Sequence, residues 1–140
     1  FEPLWRDRLA IVVPAGHRWE RRRKLGLDEL ASEPFLMREQ GSGTRRRIEE
    51  ALPKETLETL DVVVELGSTN AVKEGILHGL GVSILSERAV RTEVRTGTLV
   101  TVKAAGLHLE REFLLVSHPR RTLSPLARRA MEYLRSSGAG

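Results

Sequence analysis

Pro34-Phe35-Leu36-Met37-Arg38-Glu39-Gln40-Gly41-Ser42-Gly43-Thr44-Arg45 runs from a short apolar, strand-like segment through a Gly-Ser-Gly-Thr turn into a helix-like stretch reaching Leu52. Such a strand–turn–helix step aims backbone N–H groups, hydroxyls and an arginine at one point, a geometry suited to an anion. A matching step follows. Val62-Val63-Val64, rich in β-branched residues, leads through Gly67-Ser68-Thr69-Asn70 into Ala71-Val72-Lys73-Glu74-Gly75-Ile76-Leu77, with Gly79 as the stop. Two polar helix starts on consecutive strand–helix units are expected to open on one sheet edge, where open α/β sheets hold ligands.

The remaining chain fits the same pattern. Leu9-Ala10-Ile11-Val12-Val13, closed by Pro14-Ala15-Gly16, predicts a buried strand, and further strands are expected at Gly81–Leu85, Leu99–Val102 and Phe113–Val116. Most of these runs look apolar on both faces, which predicts a largely parallel, doubly covered sheet. Val72, Ile76 and Leu80 form one predicted apolar stripe. A shorter helix is expected over Glu87 to Val94. The pair Ser124-Pro125 predicts an N-capped helix whose inner face carries Leu126, Ala130, Tyr133 and Leu134, with Gly138 just beyond its end. The fold class is therefore α/β, a mostly parallel sheet flanked by helices.

Composition narrows the function. The 140 residues, 40% hydrophobic and 30% charged, suit a soluble globular domain with its own core. No run approaches the length of a membrane span, and Phe1-Glu2-Pro3-Leu4 is no signal peptide. Cysteine is absent, which removes thiolate chemistry and fits a cytoplasmic protein. Basic runs at Arg18, Arg21, Arg22, Arg23 and Lys24 and at Arg45, Arg46 and Arg47 contribute to a net charge of +4. Without a nucleic-acid motif or aromatic stacking residues they read first as solvated faces. Salt-sensitive DNA association through them is the competing expectation.

Catalytic sets are not apparent. His17, His78, His108 and His118 lack metal-ligand spacing, and Asp7, Asp28 and Asp61 form no carboxylate pair near the polar turns. Ser42 and Ser68 lack the Gly-x-Ser-x-Gly elbow of a nucleophile. The glycine pattern matches neither a P-loop nor a dinucleotide fingerprint. The expectation is a sensor without enzyme activity, cofactor or metal.

The ordered series Leu9-Ala10-Ile11-Val12-Val13-Pro14-Ala15-Gly16-His17, Glu33-Pro34-Phe35, Arg38-Glu39-Gln40-Gly41-Ser42-Gly43-Thr44-Arg45, Gly67-Ser68-Thr69-Asn70-Ala71-Val72-Lys73, Gly79-Leu80-Gly81-Val82-Ser83-Ile84-Leu85 and Leu123-Ser124-Pro125-Leu126-Ala127 resembles the effector-binding region of LysR-type transcriptional regulators. Within that family the Arg38–Arg45 form most resembles regulators of carbon fixation and sulfur metabolism. The resemblance implies a two-lobed domain like the type 2 periplasmic binding proteins, with a small effector in the cleft between lobes. It implies a lead-in at residues 1–7, the second lobe at 8–112, and the return strand and C-terminal helix of lobe one at 113–140. It also implies a homo-oligomer that meets DNA only through an N-terminal helix-turn-helix, which this chain lacks along with the first half of lobe one. Removal of that half is expected to bare Leu126, Ala130 and Leu134 and to favour self-association. The effector contacts it implies are Arg38, Ser42, Gly43, Thr44, Gly67, Ser68, Thr69 and Asn70, for a small, anionic ligand. Two alternatives stand beside it: an extracytoplasmic solute-binding protein of the same fold, and, of another class, an α/β enzyme acting on phosphorylated substrates.

Overall fold

The computed structural model describes residues 1–118, 120 and 122–137. Strands are β1 (Glu2–Pro14), β2 (Lys24–Leu25), β3 (Pro34–Arg38), β4 (Asp61–Leu66), β5 (Ser83–Ser86), β6 (Leu99–Ala104) and β7 (Glu110–Leu115). Helices are α1 (Gly43–Ala51), α2 (Lys54–Thr59), α3 (Thr69–Leu77), α4 (Arg91–Thr96) and α5 (Pro125–Ser137), with a 3-10 turn at Leu27–Ser32. The chain divides into two compact units, Arg8–Leu109, and Phe1–Asp7 with residues from Glu110 onward.

In the Arg8–Leu109 unit, the two faces of the sheet each carry an apolar cluster. Ile11 and Val13 pack with Phe35, Met37, Ile48, Ile84 and Val102. Val12 turns the other way and packs with Leu36, Val72, Ile76, Leu85, Val90 and Leu99. Successive strand residues face opposite sides, so the unbroken apolar run at Leu9–Val13 is the signature of a strand covered twice. Each fully buried side chain of this kind stabilises by roughly 1.5–3 kcal/mol relative to exposure.

The same run did not reveal strand direction. β3 pairs β4 in parallel and β2 pairs β6 in parallel, but β1 runs antiparallel to both β5 and β6. The sheet is mixed, which corrects the expectation of a largely parallel one. Burial on two faces is symmetric under strand reversal; connectivity sets direction. β3 joins β5 through the parallel bridge Phe35↔Val82, where Leu36 N–H donates to Val82 O and Val82 N–H donates to Pro34 O, both at 2.8 Å.

Other expectations shift at the edges. Val62 and Val63 are 45% and 50% exposed: β4 ends its sheet, and its pairing slips from Phe35↔Val62 to Leu36↔Val64, which leaves Val63 out of register. Leu80 is 56% exposed: α3 stops at Leu77, and Gly79 at φ +74° turns the chain out of the Val72–Ile76 stripe. The helix expected from Glu87 begins at Arg91 and ends on left-handed Gly97.

In the other unit α5 starts as predicted, with Ala127 N–H donating to Ser124 Oγ at 3.1 Å. Its inner stripe is Ala127, Met131 and Leu134, while Leu126, Ala130 and Tyr133 are exposed. The correction is rotational. Spacings of four and three from Ala127 make one face, and which face turns inward depends on the partner surface. Gly138 lies outside the described residues. Arg135 pairs bidentately with Glu2 at 2.7–2.8 Å, and Trp5 packs on Phe113 at 5.6 Å between ring centres.

One ion pair ties α3 to α4. Lys73 Nζ donates to Glu93 Oε1 at 2.6 Å and to Ala89 O at 3.1 Å, with the two side chains only 15% and 21% exposed. The ammonium's hydrogen bond holds the Glu93 carboxyl below its ordinary range. A depressed carboxylate pKa contributes stability above the unfolded value, and that stability is lost as pH falls through the folded value. Lys73→Met is therefore expected to cost about 1 kcal/mol at neutral pH. Urea midpoints measured from neutrality down to acid should show this gap closing once Glu93 protonates.

Candidate functional site

The register of β3 on β4 places Arg38 opposite Leu66, so both strands end together and both following helices start on one edge. Glu39 N–H extends the ladder by donating to Leu66 O at 3.1 Å. Gly41 at φ +88° makes the turn into α1. Ser42 then caps that helix, its Oγ accepting from Arg45 N–H at 3.4 Å, and Ser68 caps α3 by accepting from Ala71 N–H at 3.1 Å. The first N–H groups of an α-helix have no intrahelical partner, so Gly43 on one side and Thr69 and Asn70 on the other present donors at positive dipole ends.

Arg38 links the two starts. Its Nη1 donates to Thr69 Oγ1 at 2.6 Å, while Nε and Nη2 grip Glu39 Oε2 and Oε1 at 2.7 and 2.9 Å. The guanidinium's hydrogen bonds hold the Glu39 carboxyl below the usual carboxylate range, against the opposing effect of desolvation. Arg45 braces the same corner from α1, with Nη1 donating to Arg38 O at 3.0 Å and to Glu65 Oε2 at 2.5 Å, and Nε to Glu49 Oε1 at 2.7 Å. Hydrogen bonds to Glu49 and then Glu65 raise its already high pKa.

All eight sequence-predicted contacts thus lie along one edge, but in different environments. Ser42 and Thr44 are buried, Arg38 and Thr69 are half-buried, and Gly43, Gly67, Ser68 and Asn70 are exposed. A methyl group on Gly67 would meet no atom within 4 Å, so the backbone there faces open space. Sequence reasoning missed Glu39. Neighbours in a strand face opposite ways, and only the end of β3 at Arg38 lets Glu39 fold back on it. Among the described residues no group of three His, Cys, Asp or Glu side chains could hold a metal ion, and no helix is long and apolar enough to cross a membrane.

The family model described as LysR substrate binding domain matches residues 1–139. The HTH-type transcriptional activator CmpR of Synechocystis sp. (strain ATCC 27184 / PCC 6803 / Kazusa) is 32% identical over 126 residues, 90% of this chain and 41% of CmpR. A RuBisCO operon transcriptional regulator of Allochromatium vinosum is 34% identical over 131 residues, 94% of this chain and 43% of the relative. The chain therefore spans less than half the length of these curated relatives. Among solved structures, the Synechocystis PCC6803 CcmR regulatory domain in complex with 2-PG superposes with a TM-score of 0.81 at 26% identity, covering 99% of this chain and 66% of that one. The effector-binding domain of QuiR in complex with shikimate shares the fold, with a TM-score of 0.78 at 16% identity over 99% of this chain and 64% of QuiR's. By sequence and by fold alike, this chain belongs to the LysR substrate-binding domain family.

Proposed function

We propose that this chain is the effector-sensing part of a LysR-type transcriptional regulator, and that its effector is a small anion held at the shared start of α1 and α3. The observation that carries the reading is the β3–β4 register, which brings two helix N-termini to one edge and spans them with Arg38. Two dipole ends contribute roughly 0.3–2 kcal/mol each to an anion, and hydrogen bonds from N–H and hydroxyl groups add to that. Arg38 joins when the ligand takes over the place of Glu39, exchanging one carboxylate for another oxyanion. The ligand in the CcmR regulatory domain supports a small-molecule effector. The HTH-type names of the relatives support a regulator over a solute-binding protein or an enzyme.

The Arg8–Leu109 unit is read as the second lobe of the sensor, and the remainder as belonging to lobe one. In the whole regulator, a cytoplasmic homo-oligomer, effector binding shifts the population of lobe arrangements. DNA is met through a helix-turn-helix outside this chain.

Calorimetric titration with a panel of phosphate- and carboxylate-bearing metabolites tests the site. Millimolar binding by this chain alone is expected, a free energy near −4 kcal/mol. Arg38→Met should weaken it about tenfold, while Glu39→Gln, which frees the guanidinium, should tighten it several-fold. Affinities unmoved by both changes would place the ligand elsewhere.

A further inference from the structure

A second cation-bearing groove lies away from this edge, in the same unit. Arg91, Val94 and Arg95 of α4, with Glu87 ahead of the helix and Thr101 of β6, line a groove of about 340 Å³. That volume is within the range of small-molecule sites. The sheet beneath it changes character along β6. Leu99 is buried against Val12, but two residues on, on the same strand face, stands half-buried Thr101, paired in register with Val12, and then exposed Lys103. The apolar layer runs out where the arginines begin.

These two arginines differ from those that brace the fold. Arg22, Arg38, Arg45, Arg47, Arg111 and Arg135 each hold a carboxylate within 2.9 Å. Among the described residues the side chains of Arg91 and Arg95 have no such partner, although Glu87 borders the same groove. Like charges four apart on a helix repel by a few tenths of a kcal/mol. Two planar guanidinium forks on one side of α4 match an oxyanion that can be gripped by both. Thr101 adds a hydroxyl, and Val94, 39% exposed, adds a small apolar surface.

We propose that the α4–β6 groove is a second ligand site, binding a small oxyanion of two or more charges, a phosphate ester or a dicarboxylate, between Arg91 and Arg95. It is independent of the α1–α3 edge. A ligand there bridges the helix to the sheet and stiffens the segment that Lys73 ties to α3.

The test is an amide-resolved NMR titration with inorganic phosphate and, separately, malonate, with chloride adjusted to constant ionic strength. Saturable shifts are expected at Arg91–Thr96, at Thr101 and at the arginine Nε–H signals, with millimolar dissociation constants. The double variant Arg91→Gln/Arg95→Gln should weaken binding about tenfold, and Glu87→Gln should strengthen it several-fold by removing the one negative lining group. Both arginines are exposed, so an unchanged melting temperature is expected and confirms that the fold is retained. Shifts that never saturate, or that survive in the double variant, overturn the site. Signals at Ser68–Ala71 report the other edge separately, so either site can fail without the other.

Discussion

Alanine at Gly81 is expected to destabilise the chain by more than about 3 kcal/mol, among the largest losses available to a single methyl group. Its Cβ would sit 2.3 Å from Pro34 O and 2.9 Å from Pro34 C, both backbone atoms that cannot rotate aside. Relief requires β3 and the strand entering β5 to part. That breaks the reciprocal hydrogen bonds between Val82 and Pro34 and between Leu36 and Val82. Phe35 and Val82, 0% and 1% exposed, sit on that seam, so the rupture opens the core. Each buried backbone group left without a partner costs about 1–3 kcal/mol. Gly79→Ala supplies the contrast. Its φ is +74° and no atom lies within 4 Å of the added carbon, so only the backbone term of roughly 1–2 kcal/mol applies. Gly81 also sits at positive φ, +158°, so its variant carries a backbone term too, and the loss in excess of that of Gly79→Ala, read by chemical denaturation, measures the close approach. Equal losses would show that the Pro34 contact does not govern the effect.

Arg111→Leu carries the second large expectation, a loss of about 3 kcal/mol or more. Arg111 meets Asp7 across 104 residues of chain, with Nε and Nη2 both 2.8 Å from Oδ2. The Asp7 side chain is 1% exposed. Removing the guanidinium leaves a buried carboxylate without that counter-charge, whose desolvation is no longer offset. The guanidinium also lies 4.9 Å over the Phe113 ring, which in turn packs on Trp5, so the change removes packing as well as charge. Replacing both partners, Asp7→Leu with Arg111→Leu, should recover much of the stability, because no charge then stays buried. Hydrogen exchange at Glu2–Asp7 and Glu110–Leu115 reads the effect locally. A double variant as unstable as Arg111→Leu would point to packing in place of charge.

Local chemistry made much of the α1–α3 edge readable. Ser42 and Ser68 announce their helices because a short hydroxyl side chain satisfies an N–H that the helix itself cannot. Ser124-Pro125 announces α5 for the same reason, joined by a proline whose missing N–H costs nothing at the first turn. The Leu9–Val13 run announced a strand buried on both faces. These are short-range rules, and the relevant atoms lie within four residues of one another.

What stayed hidden depends on which surfaces meet. β4 is apolar in sequence and partly open in the fold, since Val62 and Val63 carry no record of whether a neighbour covers them. The inner stripe of α5 fell on Met131 in place of Ala130 and Tyr133, a rotation that helix periodicity permits and only the opposing surface decides. In sequence Arg38 reads as an effector contact on the edge of the polar turns. In the fold it is shared between Glu39 and Thr69, which lies 31 residues away.

The sequence by itself determined the kinds of element, their capped beginnings, and the two polar turns that follow strands. Hydroxyl caps, β-branched runs and glycine stops act through neighbours along the chain. Tertiary structure alone decided that β1 runs antiparallel to β5 and β6, that β3 and β4 end in register, and that Arg38 arrives already neutralised. Each of those depends on contacts between residues far apart in sequence, where burial and charge balance are properties of the assembled surface.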